Sequence, residues 1–327
     1  MTDPPIATPA IPSIPTIDLG APDAAARIVE AYATAGFAYL VGHGVDQALV
    51  AGVYEASRQF HASTREQKRT IALDAQHRGF IEINTSTDRT STLANVKKPN
   101  QSESFMMMRD DPADGVEVAA GNYLAGPNQW PEWLPEFRPV LEAYHDTMVT
   151  VGRRLVEVIA AGLGDERGEM AASFDPPTTW LRLLHYPPCP PTAPDDLYGS
   201  APHCDFGFVT ILSQDSVGGL QVQSAEGEWL DVPPVDNAFV MNVGEMLHRW
   251  SNGRLRSTPH RVINRSGHER YSVPFFFDPH VSTVITPLPS CVGDGPAQYA
   301  PTDFGQFLRT ELTAGYDKHK SVAGSDT

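Results

Sequence analysis

The chain has 327 residues, enough for one large domain or two small ones with a substantial core. Forty acidic residues against 24 basic ones give a formal charge of −16, which disfavours a nucleic-acid backbone as partner. Three irregularly spaced cysteines, Cys189, Cys204 and Cys291, argue against a disulfide framework and suit a reducing cytosol.

The basic groupings Arg65 to Arg69 and Arg249 to Arg261 are interleaved with apolar and acidic residues and read as solvated faces. Met1 to Pro15 carries several prolines, no lysine or arginine and no long apolar run. Neither a signal peptide nor a membrane anchor is expected there, only a mobile arm leading into the extended Ile14 to Leu19. From Asp23, a plausible N-cap, Ile28, Tyr32 and Ala35 recur at helical spacing until Gly36 stops them. Phe37 to Val41 reads as a short strand closed by Gly42-His43-Gly44, where His43 is expected to be a hydrogen-bonding turn residue rather than a metal ligand. A second amphipathic helix carries Leu49, Val50, Val53, Tyr54 and Phe60 on one side. Ser63-Thr64-Arg65-Glu66 then has the capping-box form that starts another.

Between Gly79 and Asp111 helical periodicity fades. A polar run from Asn84 to Thr92 reads as a long loop, and Glu103 to Met108 as a strand. Arg138 to Ala161 is the clearest helix, with Leu141, Tyr144, Met148, Val151, Leu155 and Val158 at spacings of three and four. A seam that regular could join a partner helix, but with fewer than four heptads it is expected to pack on the chain's own sheet. After Pro177 the pattern turns to strands: Leu181 to Tyr186, Phe208 to Leu212, Gly219 to Gln223, Glu228 to Val232, Ala238 to Val243, His260 to Asn264 and Tyr271 to Phe277. Short strands at close spacing after a helix-rich half predict an α+β fold with a β-sandwich or jelly-roll core. Asp303 to Leu312 looks helical again and is placed to close over the mouth of that core.

Pro202-His203-Cys204-Asp205-Phe206-Gly207 is the chemically richest stretch. Residues two apart on a strand share a face, so His203 and Asp205 would converge on one point. With a second histidine they would form the two-histidine, one-carboxylate set that holds non-haem Fe(II) and leaves half of its coordination sphere open; His260 is the candidate. Arg270 and Ser272 are also two apart, and an arginine on an inward face needs an anion such as a carboxylate. His185, His248, His268 and His280 are read as structural or surface groups.

These residues lie in a longer series: Gly36 to Val45, Tyr186-Pro187-Pro188-Cys189-Pro190, His203-Cys204-Asp205, Asn242 to Leu247, Trp250-Ser251-Asn252-Gly253, Pro259-His260-Arg261-Val262 and Arg270-Tyr271-Ser272. In that order they resemble the Fe(II)- and 2-oxoglutarate-dependent oxygenases, in the branch of isopenicillin N synthase and the plant-type soluble dioxygenases. The resemblance implies a double-stranded β-helix (jelly-roll, cupin-like) core. It implies one oxygenase domain over 1–327, helix-rich to about 175, with the catalytic core at 180–285 and a C-terminal segment at 286–327. It also implies His203, Asp205 and His260 as iron ligands, Arg270 and Ser272 on the distal carboxylate of 2-oxoglutarate, and Tyr186 donating to the same cosubstrate. One departure is Leu184, where many plant members carry asparagine. The implied enzyme is a cytoplasmic dioxygenase that consumes 2-oxoglutarate and dioxygen, releases succinate and carbon dioxide, and hydroxylates, desaturates or cyclises a small molecule, as in secondary metabolism. The alternatives are an oxidase of the isopenicillin N synthase type, which needs no 2-oxoglutarate, and a non-catalytic binder on the same barrel. No membrane partner is expected. Substrate contacts are expected from Phe276 on the face of Arg270 and Ser272, from Phe206 and Phe208 flanking the metal stretch, from Met106 and Met108 opposite, and from Arg89 in the polar loop.

Overall fold

A computed structural model describes residues 14–86, 93, 96, 98–194 and 196–315. The expected N-terminal arm, but for residues 14 and 15, and most of the polar run, Arg89 included, lie outside the described residues. In chain order the elements are β1 (Thr16–Asp18), α1 (Ala24–Thr34), β2 (Phe37–Val41), α2 (Gln47–Ala62), α3 (Arg65–Arg69), β3 (Gly79–Ile81), β4 (Glu103–Met108), α4 (Val116–Ala119), α5 (Phe137–Leu163), α6 (Glu169–Ala172) and β5 (Thr178–Tyr186). Then follow β6 (Ser200–His203), β7 (Val209–Gln214), β8 (Leu220–Gln223), β9 (Trp229–Asp231), β10 (Phe239–Val243), α7 (Glu245–Trp250), β11 (His260–Val262), β12 (Arg270–Asp278), β13 (Val284–Ile285), α8 (Pro289–Val292), β14 (Thr302–Asp303) and α9 (Phe304–Gly315).

Two sheets make the jelly roll. The larger runs β1-β2-β10-β7-β12-β5-β4-β3 and the smaller β6-β11-β8-β9. β1 pairs parallel to β2, and the other ladders are antiparallel. Four strands from the helix-rich half extend the larger sheet at both edges, so the boundary expected near residue 175 does not divide it.

α5 packs along the outside of that sheet, as its periodicity requires. Leu141, Tyr144, Met148, Val151, Leu155 and Ile159 are buried, and Val158 is only partly so. The helix approaches β12 so closely that a Cβ on Gly152 would sit 2.6 Å from the Phe277 ring. Gly164, in the left-handed region at φ 74°, ends it. The capping box of α3 falls one residue later than expected: Thr64 accepts from the Gln67 amide at 3.2 Å, and Gln67 reaches back to the Thr64 amide at 3.1 Å. His43 behaves as a turn residue, with Nε2 3.1 Å from the Asn237 carbonyl and Nδ1 accepting from the Val45 amide at 3.1 Å.

Candidate active site

The two sheets face each other across a recess, and each contributes one half of the site. On the smaller sheet, antiparallel pairing of β11 with β6 sets His260 directly opposite His203. Asp205 arrives differently from the strand alternation expected, because β6 ends at His203 and the chain bends through residues 204–208 before β7. The bend is held from the larger sheet. Asp278, at the end of β12, accepts the Phe208 amide at 2.6 Å, and any Cβ on Gly207 would overlap its carboxyl. Burial, without a counter-cation among the described residues, pushes the Asp278 carboxyl up to about 7.

His203 and His260 point Nε2 at Asp205 Oδ1, at 3.7 and 3.6 Å. Their Nδ1 atoms lie 2.7 and 3.3 Å from the carbonyls of Ala201 and Thr258. A proton on each Nδ1 serves those carbonyls and leaves the Nε2 lone pairs directed at the carboxylate. Asp205 Oδ2 accepts from Asn242 Nδ2 at 2.7 Å and from the Thr210 hydroxyl, which turns Oδ1 toward the imidazoles. Burial alone would raise the Asp205 pKa, but the two histidines and these two donors bring it below the usual carboxylate range. Two imidazole lone pairs and a carboxylate oxygen, converging with their outer atoms already engaged, fit a divalent transition metal.

On the larger sheet, Arg270 lies opposite Tyr186 in the β12–β5 register. Arg270 is fully buried. Its Nε donates to the Gly218 carbonyl at 2.6 Å and its Nη1 to Ser272 Oγ at 3.2 Å, while Nη2 is buried without a partner among the described residues. The guanidinium carbon stands 4.6 Å from the centre of the Tyr186 ring, and Ser272 Oγ lies 3.4 Å from the Tyr186 hydroxyl. All three line one recess of about 660 Å³ together with His203, Asp205 and His260. A buried cation with an unused donor is costly unless an anion completes it.

A second cavity of about 880 Å³, partly open to solvent, adjoins that recess. Met106, Phe206 and Phe276 line it, as does α9 through Leu308, Glu311 and Leu312. Phe208 does not; it is fully buried in the core against Phe174 and Trp250, at ring distances of 4.9 and 5.7 Å, because the bend at 204–208 breaks the alternation that linked it to Phe206. Met108 lies at the far end of β4, beside Arg78 and Arg109 and away from this cavity. Cys204 turns its sulfur to the Ser257 carbonyl, and burial pushes its thiol up to about 11. No role is expected from the sequence for three site residues: Thr210, Arg182 and Asn242, the last present only within the motif Asn242 to Leu247. Asn242 and Arg182 stand out as polar residues in apolar strands, Phe-Val-Met-Asn-Val and Trp-Leu-Arg-Leu-Leu, the same signal that singles out Arg270.

A second cluster, His61, Glu103 and His185, also brings possible ligand atoms within 4.8 Å of one another. It lies behind the recess and is closed by Lys68, whose Nζ donates to both Glu103 oxygens at 2.9 Å. That ammonium occupies the position of a metal charge, so the cluster is an ion-pair network joining α2, α3, β4 and β5. Burial would raise the Glu103 pKa, but hydrogen bonds from His185 and Lys68 and the nearby His61 imidazole, 3.4 Å away, outweigh it and hold the carboxyl well below its ordinary range.

The jelly roll with a two-histidine, one-carboxylate cluster beside a buried arginine defines a non-haem iron oxygenase class. Residues 177–279 match the family model of the 2OG-Fe(II) oxygenase superfamily, and residues 14–133 match that of the non-haem dioxygenase in morphine synthesis N-terminal region. The chain is 35% identical over 305 residues to the 2-oxoglutarate-dependent dioxygenase citB of Monascus ruber, covering 87% of this chain and 90% of that one. It is 32% identical to the homoarginine-6-hydroxylase 2-ODD-C23.1 of Arabidopsis thaliana, covering 84% and 82%. Among solved structures, a full-length Neurospora crassa protein in complex with alpha-KG superposes with a TM-score of 0.80 at 27% identity, covering 92% of this chain and 96% of that one. The same fungal protein with alpha-KG and thymine gives 0.79, at the same identity and coverage. The chain belongs to the 2OG-Fe(II) oxygenase superfamily: it is a 2-oxoglutarate-dependent dioxygenase on a double-stranded β-helix, with iron, 2-oxoglutarate and dioxygen as cofactor and cosubstrates.

Proposed function

We propose that His203, Asp205 and His260 hold the iron, that Arg270, Ser272 and Tyr186 seat 2-oxoglutarate, and that the chain hydroxylates a small molecule in the adjoining cavity. The observation that carries this reading is the buried Arg270, whose Nη2 has no partner among the described residues and whose side chain lines the same recess as His203, Asp205 and His260. Iron(II) with 2-oxoglutarate and dioxygen supplies an oxidant able to take hydrogen from carbon, with succinate and carbon dioxide as by-products. The protein's part is placement. Arg270 and Ser272 fix the far carboxylate, with Tyr186 donating beside them. Asn242 and Thr210 hold the Asp205 carboxylate at one angle, and the Ala201 and Thr258 carbonyls hold both imidazoles in one tautomer. Met106, Phe206 and Phe276 keep water from the substrate side.

The formal charge of −16 supports a small molecule over nucleic acid. Among the described residues no helix is long and apolar enough to cross a membrane. The three free cysteines support a reducing, cytoplasmic setting. The test is coupled measurement of oxygen uptake and succinate. Succinate formed in step with oxygen, and only when 2-oxoglutarate is added, is the expected result; oxygen uptake indifferent to 2-oxoglutarate would overturn it.

A further inference from the structure

Granted the oxygenase reading, on which this rests, we propose that Arg182 recognises a carboxylate on the primary substrate, a small carboxylic acid with an aromatic or similarly apolar body. Arg182 lies on β5 four residues before Tyr186 and so on the same, inward face; its partner across the ladder is Met106 of β4. Its Nε donates to Ser104 Oγ at 2.8 Å, which fixes the plane of the guanidinium. Among the described residues that is its sole hydrogen bond, and no carboxylate there lies within ion-pair distance. Both terminal nitrogens are left for a ligand, in the fork geometry that matches a carboxylate.

Position adds to chemistry. Arg182 lines both the 2-oxoglutarate recess and the outer cavity, as do His203, Asp205 and Phe276. A ligand anchored there holds its neighbouring carbons beside the metal-ligating residues. Among the described residues lining the outer cavity Arg182 is the one lysine or arginine, and Trp180, Met106, Phe206, Leu308 and Leu312 offer an apolar slot for the rest of the molecule. Besides Asp205, two further carboxyls face that cavity, Asp278 and Glu311. Burial pushes Asp278 up to about 7 and Glu311 above its usual range, which lessens their opposition to an incoming anion. With Arg270 committed to 2-oxoglutarate, the two arginines account for two separate anions.

The test uses the full-length Fe(II) protein with 2-oxoglutarate, kept free of oxygen so that nothing turns over. Benzoate, phenylacetate, 3-phenylpropionate and indole-3-carboxylate, each with its primary amide, are titrated against tryptophan fluorescence and melting temperature. Acids are expected to bind at least tenfold more tightly than their amides. Arg182→Gln should bring acids to the level of amides with 2-oxoglutarate affinity changed less than threefold, while Arg182→Lys, which keeps the charge, should retain part of the preference. Amides that bind as well as acids, no acid that binds better than its amide, or an acid preference that survives in Arg182→Gln would each overturn the assignment. So would a tenfold loss of 2-oxoglutarate affinity in Arg182→Gln with the acid preference intact, since the guanidinium would then serve the cosubstrate. Wild-type protein that binds no 2-oxoglutarate would overturn the oxygenase reading itself and this assignment with it.

Discussion

Replacing Arg270 by glutamine removes a buried charge and its unpartnered Nη2 donor while keeping most of the side-chain volume. A hydrogen bond to a charged group contributes about 1.5–3 kcal/mol, and each 1.4 kcal/mol is a factor of ten, so KM for 2-oxoglutarate should rise roughly 10- to 150-fold. Ser272→Ala loses a weaker partner, shared at 3.2 Å with Arg270 and 3.4 Å with Tyr186, and should cost about 1 kcal/mol, or fivefold. In both variants kcat should fall less than kcat/KM, because the contact is to the far end of the cosubstrate rather than to the reacting carbon. Initial rates of succinate formation across 2-oxoglutarate concentrations read this directly. A second readout is the rise in melting temperature on adding 2-oxoglutarate, equivalent to about 2.7 kcal/mol at a hundred times Kd for the wild type and much smaller in Arg270→Gln. An unchanged KM for 2-oxoglutarate together with weakened substrate binding would refute the reasoning and assign the arginine to the substrate, as in the isopenicillin N synthase type of oxidase.

Three further outcomes are expected. Asn242→Ala strips one donor from Asp205 Oδ2 and should weaken metal binding about 10- to 100-fold, measured by titration with Mn(II), whereas His260→Ala should abolish stoichiometric binding. Gly207→Ala forces a Cβ into the Asp278 carboxyl and should lower both melting temperature and metal affinity, read by thermal denaturation and the same titration. Glu103→Gln should destabilise the fold in a pH-dependent way. Because the folded-state pKa of Glu103 is depressed, its contribution is complete above the ordinary carboxylate range and fades as pH falls through and below it; denaturant melts should therefore show wild type and variant converging toward acid pH.

Periodicity located most elements because burial on one face imposes it. Phe37–Val41 and Glu103–Met108 fall where short apolar runs place them, although both faces of each strand are buried, and the α5 seam holds except that Ile159 takes the buried place expected of Val158. Of the three proposed metal residues, His203 and His260 stand out through the order of the motifs, and the structure sets them opposite one another on paired strands. Asp205 was legible for a reason that does not apply: it reaches His203 through a bend clamped where Asp278 accepts the Phe208 amide, a contact spanning 70 residues of sequence that no local pattern reveals. The same bend sends Phe208 into the core, and the depth of β4 removes Met108 from the cavity. Arg182 is marked in the sequence only as a lone charge in an apolar strand, without the paired serine that accompanies Arg270; its meaning depends on which cavity the far end of the side chain enters.

α9 has a consequence for how this enzyme can change. It hangs from the β13–β14 ribbon, which among the described residues pairs with neither of the two larger sheets. Yet it supplies Leu308, Glu311 and Leu312 to the wall of the cavity proposed for the substrate. One part of that wall is thereby held on an element that can vary separately from the two larger sheets. Selection for a new substrate can act on residues 286–315 without disturbing the register of β12, and a chimera that exchanges this segment with a relative's should change which apolar bodies are accepted while keeping the acid preference proposed for Arg182 and its own affinity for iron and 2-oxoglutarate.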